Sequence, residues 1–283
     1  MGLIKRAGAV VILACAAVLT AGASASAEVT IGQVAPSGGG LLDCSTGATD
    51  LVQPSVTAGG NLYSARAAGT ITSWSTRAAT GGDSYTFKVF RRTTDPDVFR
   101  VIGHSGPRTL SSGLNTFSAN LTVSSGDLIG MSASGMDNNC RFGSTGDFVF
   151  ARAGSLSDRS SGTFPPGSAF MNSRLNLSAI LVPTNSFRFV GVSRDRRRGT
   201  ATVEIDVSNP GTVTLAGKGL TAKRATKTVA VARVVSFRIA VTGKRKKKLN
   251  RKGRVLVQVN ATFTPTGGDP ATQSISLKLK KKR

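Results

Sequence analysis

The stretch Thr200-Ala-Thr-Val-Glu-Ile-Asp-Val207 places an apolar side chain at every second position, with polar or acidic side chains between them. Residues 255–263, VLVQVNATF, repeat this pattern, and so do residues 117–123 and 175–181 nearer the N-terminus. A strand with one buried face and one solvated face produces a period of two. The sequence therefore predicts an all-β protein built from antiparallel sheets.

Charge is divided unequally along the chain. Residues 28–183 contain 11 Lys and Arg against 10 Asp and Glu, whereas residues 184–283 contain 24 against 4. Two segments with similar strand patterns and such different charge predict two domains with different surroundings. We therefore expect one β-sandwich domain at 28–183 and a second, basic β-sandwich domain at 184–283.

The first 27 residues have the pattern of a secretory signal peptide. Lys5-Arg6 precedes the apolar run 7–19, which is shorter than the roughly 20 residues that span a bilayer. Ala25-Ser26-Ala27 then provides a cleavage motif. We expect a mature chain without a transmembrane segment, secreted or associated with the cell envelope. An uncleaved N-terminal anchor is the alternative.

Removal of this leader leaves two of the three cysteines, Cys44 and Cys140. An even number in a secreted protein predicts one disulfide, which would close a loop of roughly 100 residues and contribute about 4–5 kcal/mol. Two free thiols are the alternative. No metal or other cofactor is predicted, because two Cys and one His supply too few soft ligands. Turn chemistry explains the oxygen-rich groups Asp95 with Asp97, and Asp137-Asn138-Asn139.

Residues 28–183 contain about eight predicted strands, which fits a jelly-roll-like sandwich. The segment Val123-Ser-Ser-Gly-Asp-Leu-Ile-Gly130 is predicted to turn between two of them, and it resembles a step found in several jelly rolls. Residues 153–168 show no alternation and are predicted to form a long exposed loop. The whole segment resembles secreted jelly-roll-like domains, and this resemblance implies no particular activity.

Seven predicted strands follow in the second domain, separated by turn signals such as Asn209-Pro210-Gly211. The runs at 199–220, 246–270 and 274–282 resemble the Ig-like or fibronectin-III-like modules that end many secreted bacterial proteins. The resemblance covers 187–282. It implies an Ig-like sandwich outside the cell that acts as a spacer, a wall-associated domain or an accessory to another domain.

Basic residues cluster in this second domain. Concentrated positive charge attracts polyanions and releases their counterions on binding. The expected partners are anionic cell-envelope polymers or acidic glycans, whereas nucleic acid is an unexpected partner because exposed aromatic rings are scarce. Solvated turns and a lysine-protected edge strand are the alternative explanation. The candidate polyanion-binding residues are Arg196, Arg197, Arg198, Lys244, Arg245, Lys246, Lys247, Lys248, Arg251 and Lys252, with further basic residues at Arg254 and in 278–283.

Carbohydrate binding by the first domain is the alternative function. Trp74 lies on the opposite phase to Ile71 and Ser73, so strict alternation predicts an exposed ring on which a sugar could stack. Tyr85 alternates with Phe87 and is predicted to lie in the core. Trp74 is therefore the candidate sugar-binding residue.

A secreted hydrolase is the third interpretation, and no catalytic residue is predicted. His104 is the only histidine of the chain, in a predicted turn, so Ser105 beside it has no second His as its base. Glu204 and Asp206 share one side of a predicted strand, but this is the ordinary polar face of a sandwich. Composition leaves a Ser–Lys dyad open. We expect a non-catalytic binding or structural protein whose basic C-terminal module associates with anionic surface polymers.

Overall fold

The computed structural model describes residues 27–43, 47–57, 62–134, 139–220 and 224–282. Within these segments the protein is built almost entirely of β-strands, with one α-helix and one short 3-10 helix at Pro166–Ser168. Named strands pair antiparallel in four sheets, as the alternating sequence predicts. The prediction of an all-β, sandwich-forming chain is confirmed.

Residues 29–183 supply two of the sheets. Their strands are β1 (Val29–Gln33), β2 (Leu41–Leu42), β3 (Thr49–Val52), β4 (Gly69–Ala78), β5 (Ser84–Arg92), β6 (Val98–Thr109), β7 (Gly113–Val123), β8 (Leu128–Ser134), β9 (Arg141–Ala153), β10 (Ser161–Thr163), β11 (Phe170–Leu175) and β12 (Leu177–Pro183). One sheet has the order β1-β12-β4-β7, and the other has the order β10-β6-β5-β8-β3-β9-β11, with β2 paired to β9.

The core of this first half lies between the two sheets. Leu177 and Leu181 of β12 and Phe87 and Met131 of the opposite sheet belong to one buried cluster. Along β12 these buried residues alternate with half-buried neighbours, which is the period of two read in the sequence. Burying each such side chain contributes about 1.5–3 kcal/mol, so the cluster accounts for much of the stability of this half.

The segment 153–168, predicted to be a long exposed loop, is corrected by the structure. It contains β10, which pairs with β6, and the short 3-10 helix. Phe164 is fully buried and packs edge-on against Phe90 and Phe99, with ring centroids 5.7 and 5.3 Å apart. Sequence alternation misses this segment because β10 is only 3 residues long and contains no large apolar side chain.

A buried ion pair attaches the same segment. Lys88 Nζ lies 2.7 Å from Asp50 Oδ1, and the two side chains are 2% and 0% exposed. The ammonium group also donates to Ser155 Oγ at 2.9 Å and to the Leu156 carbonyl at 2.7 Å. Asp50 Oδ2 accepts the Leu156 N–H at 2.8 Å. The pair therefore joins β3 and β5 to the start of the segment.

Residues 187–280 supply the other two sheets. Their strands are β13 (Phe187–Asp195), β14 (Thr200–Val207), β15 (Gly211–Ala216), β16 (Arg224–Val229), β17 (Arg233–Ile239), β18 (Arg254–Pro265) and β19 (Ala271–Lys280). One sheet has the order β13-β14-β17 and the other has the order β16-β15-β18-β19. Val203 and Ile205 of the first sheet and Val259 and Phe263 of the second belong to a separate buried cluster between them.

Helix α1 (Gly243–Lys252) connects β17 to β18 and is not predicted by the sequence pattern. The helix shows no apolar period of 3.6 residues because Leu249 is the one apolar side chain in it, and that side chain is buried. Lys and Arg favour helix formation, and Gly253 ends the helix in the left-handed region at φ 67°, donating its N–H to the Leu249 carbonyl. Arg251 and Lys252 in the last turn match the helix dipole. Among the described residues, no helix is both long and apolar enough to cross a membrane.

Asn209 joins the two halves. Its side chain is fully buried, accepts the Ala68 N–H at 2.7 Å and donates to the carbonyls of Ala68 at 2.9 Å and Thr184 at 2.7 Å. Each sheet is formed from residues on one side of the predicted boundary at 183/184. The division into domains stays a prediction, and the predicted signal peptide lies almost wholly outside the described residues.

We predict that Lys88→Met destabilises the protein by about 3–5 kcal/mol, because it leaves the Asp50 carboxylate buried without its charge partner. Urea denaturation followed by tryptophan fluorescence measures the change. Lys88→Met combined with Asp50→Asn removes both charges and is expected to recover part of the loss. A single variant within about 1 kcal/mol of the parent protein would contradict a dry ion pair at this position.

Candidate polyanion-binding site

The first basic cluster lies in the turn between β13 and β14. Asp195 Oδ1 accepts the backbone N–H groups of Arg197 at 2.9 Å and Arg198 at 3.0 Å, and Gly199 has φ 69° at the end of the turn. These hydrogen bonds, that of Arg198 first, lower the pKa of Asp195 and keep it ionised. The side chains of Arg196, Arg197 and Arg198 are exposed.

The second cluster lies on α1, not in the irregular connection that the sequence suggests. Leu249 packs into the second core, which directs the rest of the helix toward solvent. Arg245 is half-buried and donates from its guanidinium to the Leu256 carbonyl at 2.6 Å. The exposed basic residues of the helix are Lys244, Lys246, Lys247, Lys248, Arg251 and Lys252.

The third cluster lies at the end of β19 and directly after it. The backbone N–H of Lys281 donates to the Gly253 carbonyl at 2.8 Å, and that of Lys282 donates to the Arg196 carbonyl at 2.7 Å. Lys281 Nζ donates to Asn250 Oδ1 at 2.9 Å. These bonds hold the basic end of the chain between the β13–β14 turn and the end of α1. The exposed lysines here are Lys278, Lys280 and Lys282.

Three shallow cavities of about 320–390 Å³ lie where these clusters meet. The residues that define the turn cavity are Arg197, Arg198, Arg238, Lys246, Asn250 and Lys281. The residues that define the tail cavity are Arg196, Arg254, Lys278, Lys280, Lys281 and Lys282. The residues that define the strand cavity are Lys248, Lys252, Arg254, Leu256 and Lys278.

The structure thus brings all three predicted basic clusters to one end of the second half. The predicted residues Lys244, Arg245, Lys247 and Arg251 line none of these three cavities. Sequence reasoning misses Arg238, which lies outside any basic run, and Asn250, an uncharged residue within the second run, and both line the turn cavity. Polyanion binding itself stays a prediction.

Acidic residues are mostly separated from this basic end. Residues 184–283 contain four of them, and Asp195 is the one in the basic turn, 3.8 Å from Arg198 Nε. Asp206 instead pairs with Arg188 at 3.0 Å. Asp269 lines a cavity beside the linker at 183–185. The positive charge of the three cavities therefore faces solvent with little internal neutralisation.

Trp74 is not an exposed platform, and that prediction is wrong. Its side chain is fully buried, with ring centroids 5.8 Å from Phe87 and 4.7 Å from Phe117. The cause is a register shift in β4 between Ile71 and Ser73, which inverts the alternation after it. Trp74 therefore joins Ile71 on the core face. Tyr85 is buried as predicted.

His104 lies within β6 rather than in the predicted turn. Its Nδ1 is 2.7 Å from Asp158 Oδ1, and the two side chains are 43% and 46% exposed. Ser105 Oγ donates to the Gly106 carbonyl instead of contacting the ring. The sequence gives no signal for the contact with Asp158, because that residue comes from the segment that β10 attaches to the sheet.

Cys140 is buried immediately before β9. Its Sγ is 3.9 Å from the carbonyl oxygen of Leu42, two residues before Cys44. Cys44 itself lies outside the described residues, so the disulfide stays a prediction. The Asp97 N–H donates to Asp95 Oδ1 at 3.0 Å, which is the turn chemistry expected there.

No family model matches the sequence, and no curated protein is similar to it. Solved structures that overlap with it include an FMN-binding β-glucuronidase from Facaelibacterium prausnitzii L2-6, at 14% identity over 90% of this chain and 40% of that chain, with TM-score 0.21. A β-glucuronidase from Ruminococcus gnavus is 12% identical over 88% of this chain and 45% of that chain, with TM-score 0.22. A GH2 β-galacturonidase from Eisenbergiella tayi is 9% identical over 88% of this chain and 43% of that chain, with TM-score 0.20. The chain spans less than half of these enzymes. Overlaps this weak carry no argument about activity.

We predict that the one tryptophan of the chain, Trp74, emits as a buried indole and is poorly quenched by iodide until the protein unfolds. Added oligosaccharides are expected to leave its emission unchanged, because the ring cannot reach them. Steady-state fluorescence with iodide titration tests both points. Quenching in the native protein as strong as in urea would show that the ring is exposed.

Proposed function

We propose that this protein is a non-catalytic, secreted or envelope-associated binding protein whose second half associates with anionic surface polymers. The observation that carries the proposal is the convergence of three basic segments on one end of that half. In sequence, residues 199–243 separate the first two segments and residues 253–277 separate the second from the third, so local composition alone does not explain their meeting. Solubility needs fewer charges, with both signs interspersed.

The electrostatics of this end suit a polymer with repeated negative charges. Cations that share one surface raise the local concentration of counterions, and a polyanion that replaces those counterions gains entropy. Arg196 and Arg254 offer planar guanidinium groups that bind oxyanions through two parallel hydrogen bonds, whereas the lysines act as point charges. Both kinds of group are exposed here and accessible to a ligand in solution.

We propose an Ig-like module for the second half and a jelly-roll-like one for the first. Seven strands divided into sheets of three and four support the Ig-like assignment, with β16 paired to β15 rather than to β17. The proposed disulfide between Cys44 and Cys140 is supported by the position of Cys140 beside the strand that precedes Cys44. Both assignments agree with export through the proposed signal peptide at 1–27.

The other interpretations lose support or gain none. Carbohydrate binding by the first half was centred on Trp74, and the burial of that ring removes the residue on which it rested. A secreted hydrolase stays third, because the contact between His104 and Asp158 is exposed and Ser105 bonds elsewhere. Anionic-polymer binding is therefore the proposal that the geometry favours.

We predict strongly salt-dependent binding to immobilised poly(glycerol phosphate) and weak binding to neutral dextran. With about five anionic contacts, affinity is expected to fall roughly 10²–10³-fold between about 50 and 200 mM NaCl. The measurement is an equilibrium binding isotherm of the mature chain at several salt concentrations. Salt-independent binding, or equal binding to dextran, would overturn the proposal.

A matched pair of variants places the interaction on the molecule. Lys248→Gln with Lys252→Gln removes two charges from the strand cavity, and Arg224→Gln with Arg233→Gln removes two from β16 and β17. We expect the first pair to reduce the slope of log affinity against log salt by about 2 and the second pair to leave it nearly unchanged. Equal losses would mean that net charge, rather than this end of the molecule, governs binding.

A further inference from the structure

We infer that the turn, tail and strand cavities form one continuous track that binds a linear, flexible polyanion along its length. The inference rests on the proposed function and adds the shape of the ligand to it. A polymer chain with at least three anionic groups would occupy the three cavities in order, whereas separate small anions would bind each cavity weakly.

Shared lining residues place the three cavities next to one another. Lys281 lines both the turn cavity and the tail cavity. Arg254 and Lys278 line both the tail cavity and the strand cavity. The tail cavity is therefore the middle one of the three, and it is lined by Gly253, where α1 ends. The track therefore curves around the C-terminal end of α1 and continues along the outer side of β18 and β19.

Backbone hydrogen bonds hold the track in shape. The tail is fixed by the bonds of Lys281 to Gly253 and of Lys282 to Arg196, so these lysines are not a loose basic extension. Arg194 Nε adds a bond to the Lys278 carbonyl at 3.2 Å. A site whose backbone is already ordered loses less conformational entropy on binding, so it favours a defined path for the ligand.

The lining chemistry points to a chain with both charged and apolar parts. Cations line all three cavities, and the strand cavity also contains Leu256, which is 61% exposed although it is a large apolar side chain. An exposed leucine among lysines can contact the carbon skeleton between two anionic groups. Linear phosphodiester polymers and polyuronates both have this chemistry, and experiment must distinguish them.

Chain length provides the first test. Once one anionic group of a chain has bound, the next binds from a high effective concentration, so affinity rises with the number of linked groups. We expect orthophosphate to bind weakly, glycerol phosphate oligomers to gain at least about tenfold in affinity as they reach three or four phosphates, and longer chains to add little per site. Oligogalacturonates of matched charge form the second arm and identify which polymer is preferred.

Charge-matched variants provide the second test. Lys278→Gln and Lys281→Gln each remove a residue shared by two cavities, whereas Lys244→Gln and Lys247→Gln remove the same charge from residues of α1 that line none of the three. All four replacements keep the side chain long and polar, and each leaves the backbone bonds in place. We expect roughly tenfold weaker binding of long chains for the first two and at most about twofold for the controls.

The outcomes separate the track from the proposed function. Strong, salt-dependent binding with equal effects of all four substitutions would overturn the track and leave polyanion binding standing. An affinity that keeps rising in proportion to the number of anionic groups, with no plateau beyond three or four of them, would likewise overturn the track and leave polyanion binding standing. Absence of binding to any of these polymers would overturn both. A loss confined to Lys278→Gln and Lys281→Gln, with the chain-length plateau, supports the track.

Discussion

Antiparallel pairing puts the end of β13 beside the start of β14, with Asp195 opposite Thr200, and the start of β18 beside the end of β19, with Arg254 opposite Lys280. The two pairs lie in different sheets, and the hydrogen bond from the Lys282 N–H to the Arg196 carbonyl joins them at one end of the second half. The turn between β18 and β19, which contains Asp269, falls at the other end for the same reason. Strand polarity therefore separates the charges, and the proposed site depends on it.

Collecting like charges in this way opposes folding, because the cations repel one another in the compact state. The structure opposes that repulsion locally. Leu249 packs α1 onto the core, Gly253 ends the helix without strain, and Asp195 orders the arginine turn. Under the proposed function, we expect a bound polyanion to relieve the repulsion that remains and so to stabilise this half.

Period-two alternation made most of the fold predictable, and β14 was predicted with the bounds 200–207 that the structure shows. Prediction failed where a single irregular or distant contact decides the outcome. One bulge reverses the face of Trp74, one buried leucine packs α1 onto the core, and Lys88 attaches a segment that shows no pattern. The basic runs were visible in the sequence, whereas Arg238 joins them through tertiary structure alone.

Lysine acetylation measured by mass spectrometry, with and without a long phosphodiester polymer, tests the account most directly because it reports each side chain separately. The account predicts that the polymer protects Lys248, Lys278 and Lys281 from acetylation while Lys227 on β16 reacts at an unchanged rate. Equal protection of Lys227 and the track lysines, or protection of none of them, would contradict a polyanion site at this end of the molecule.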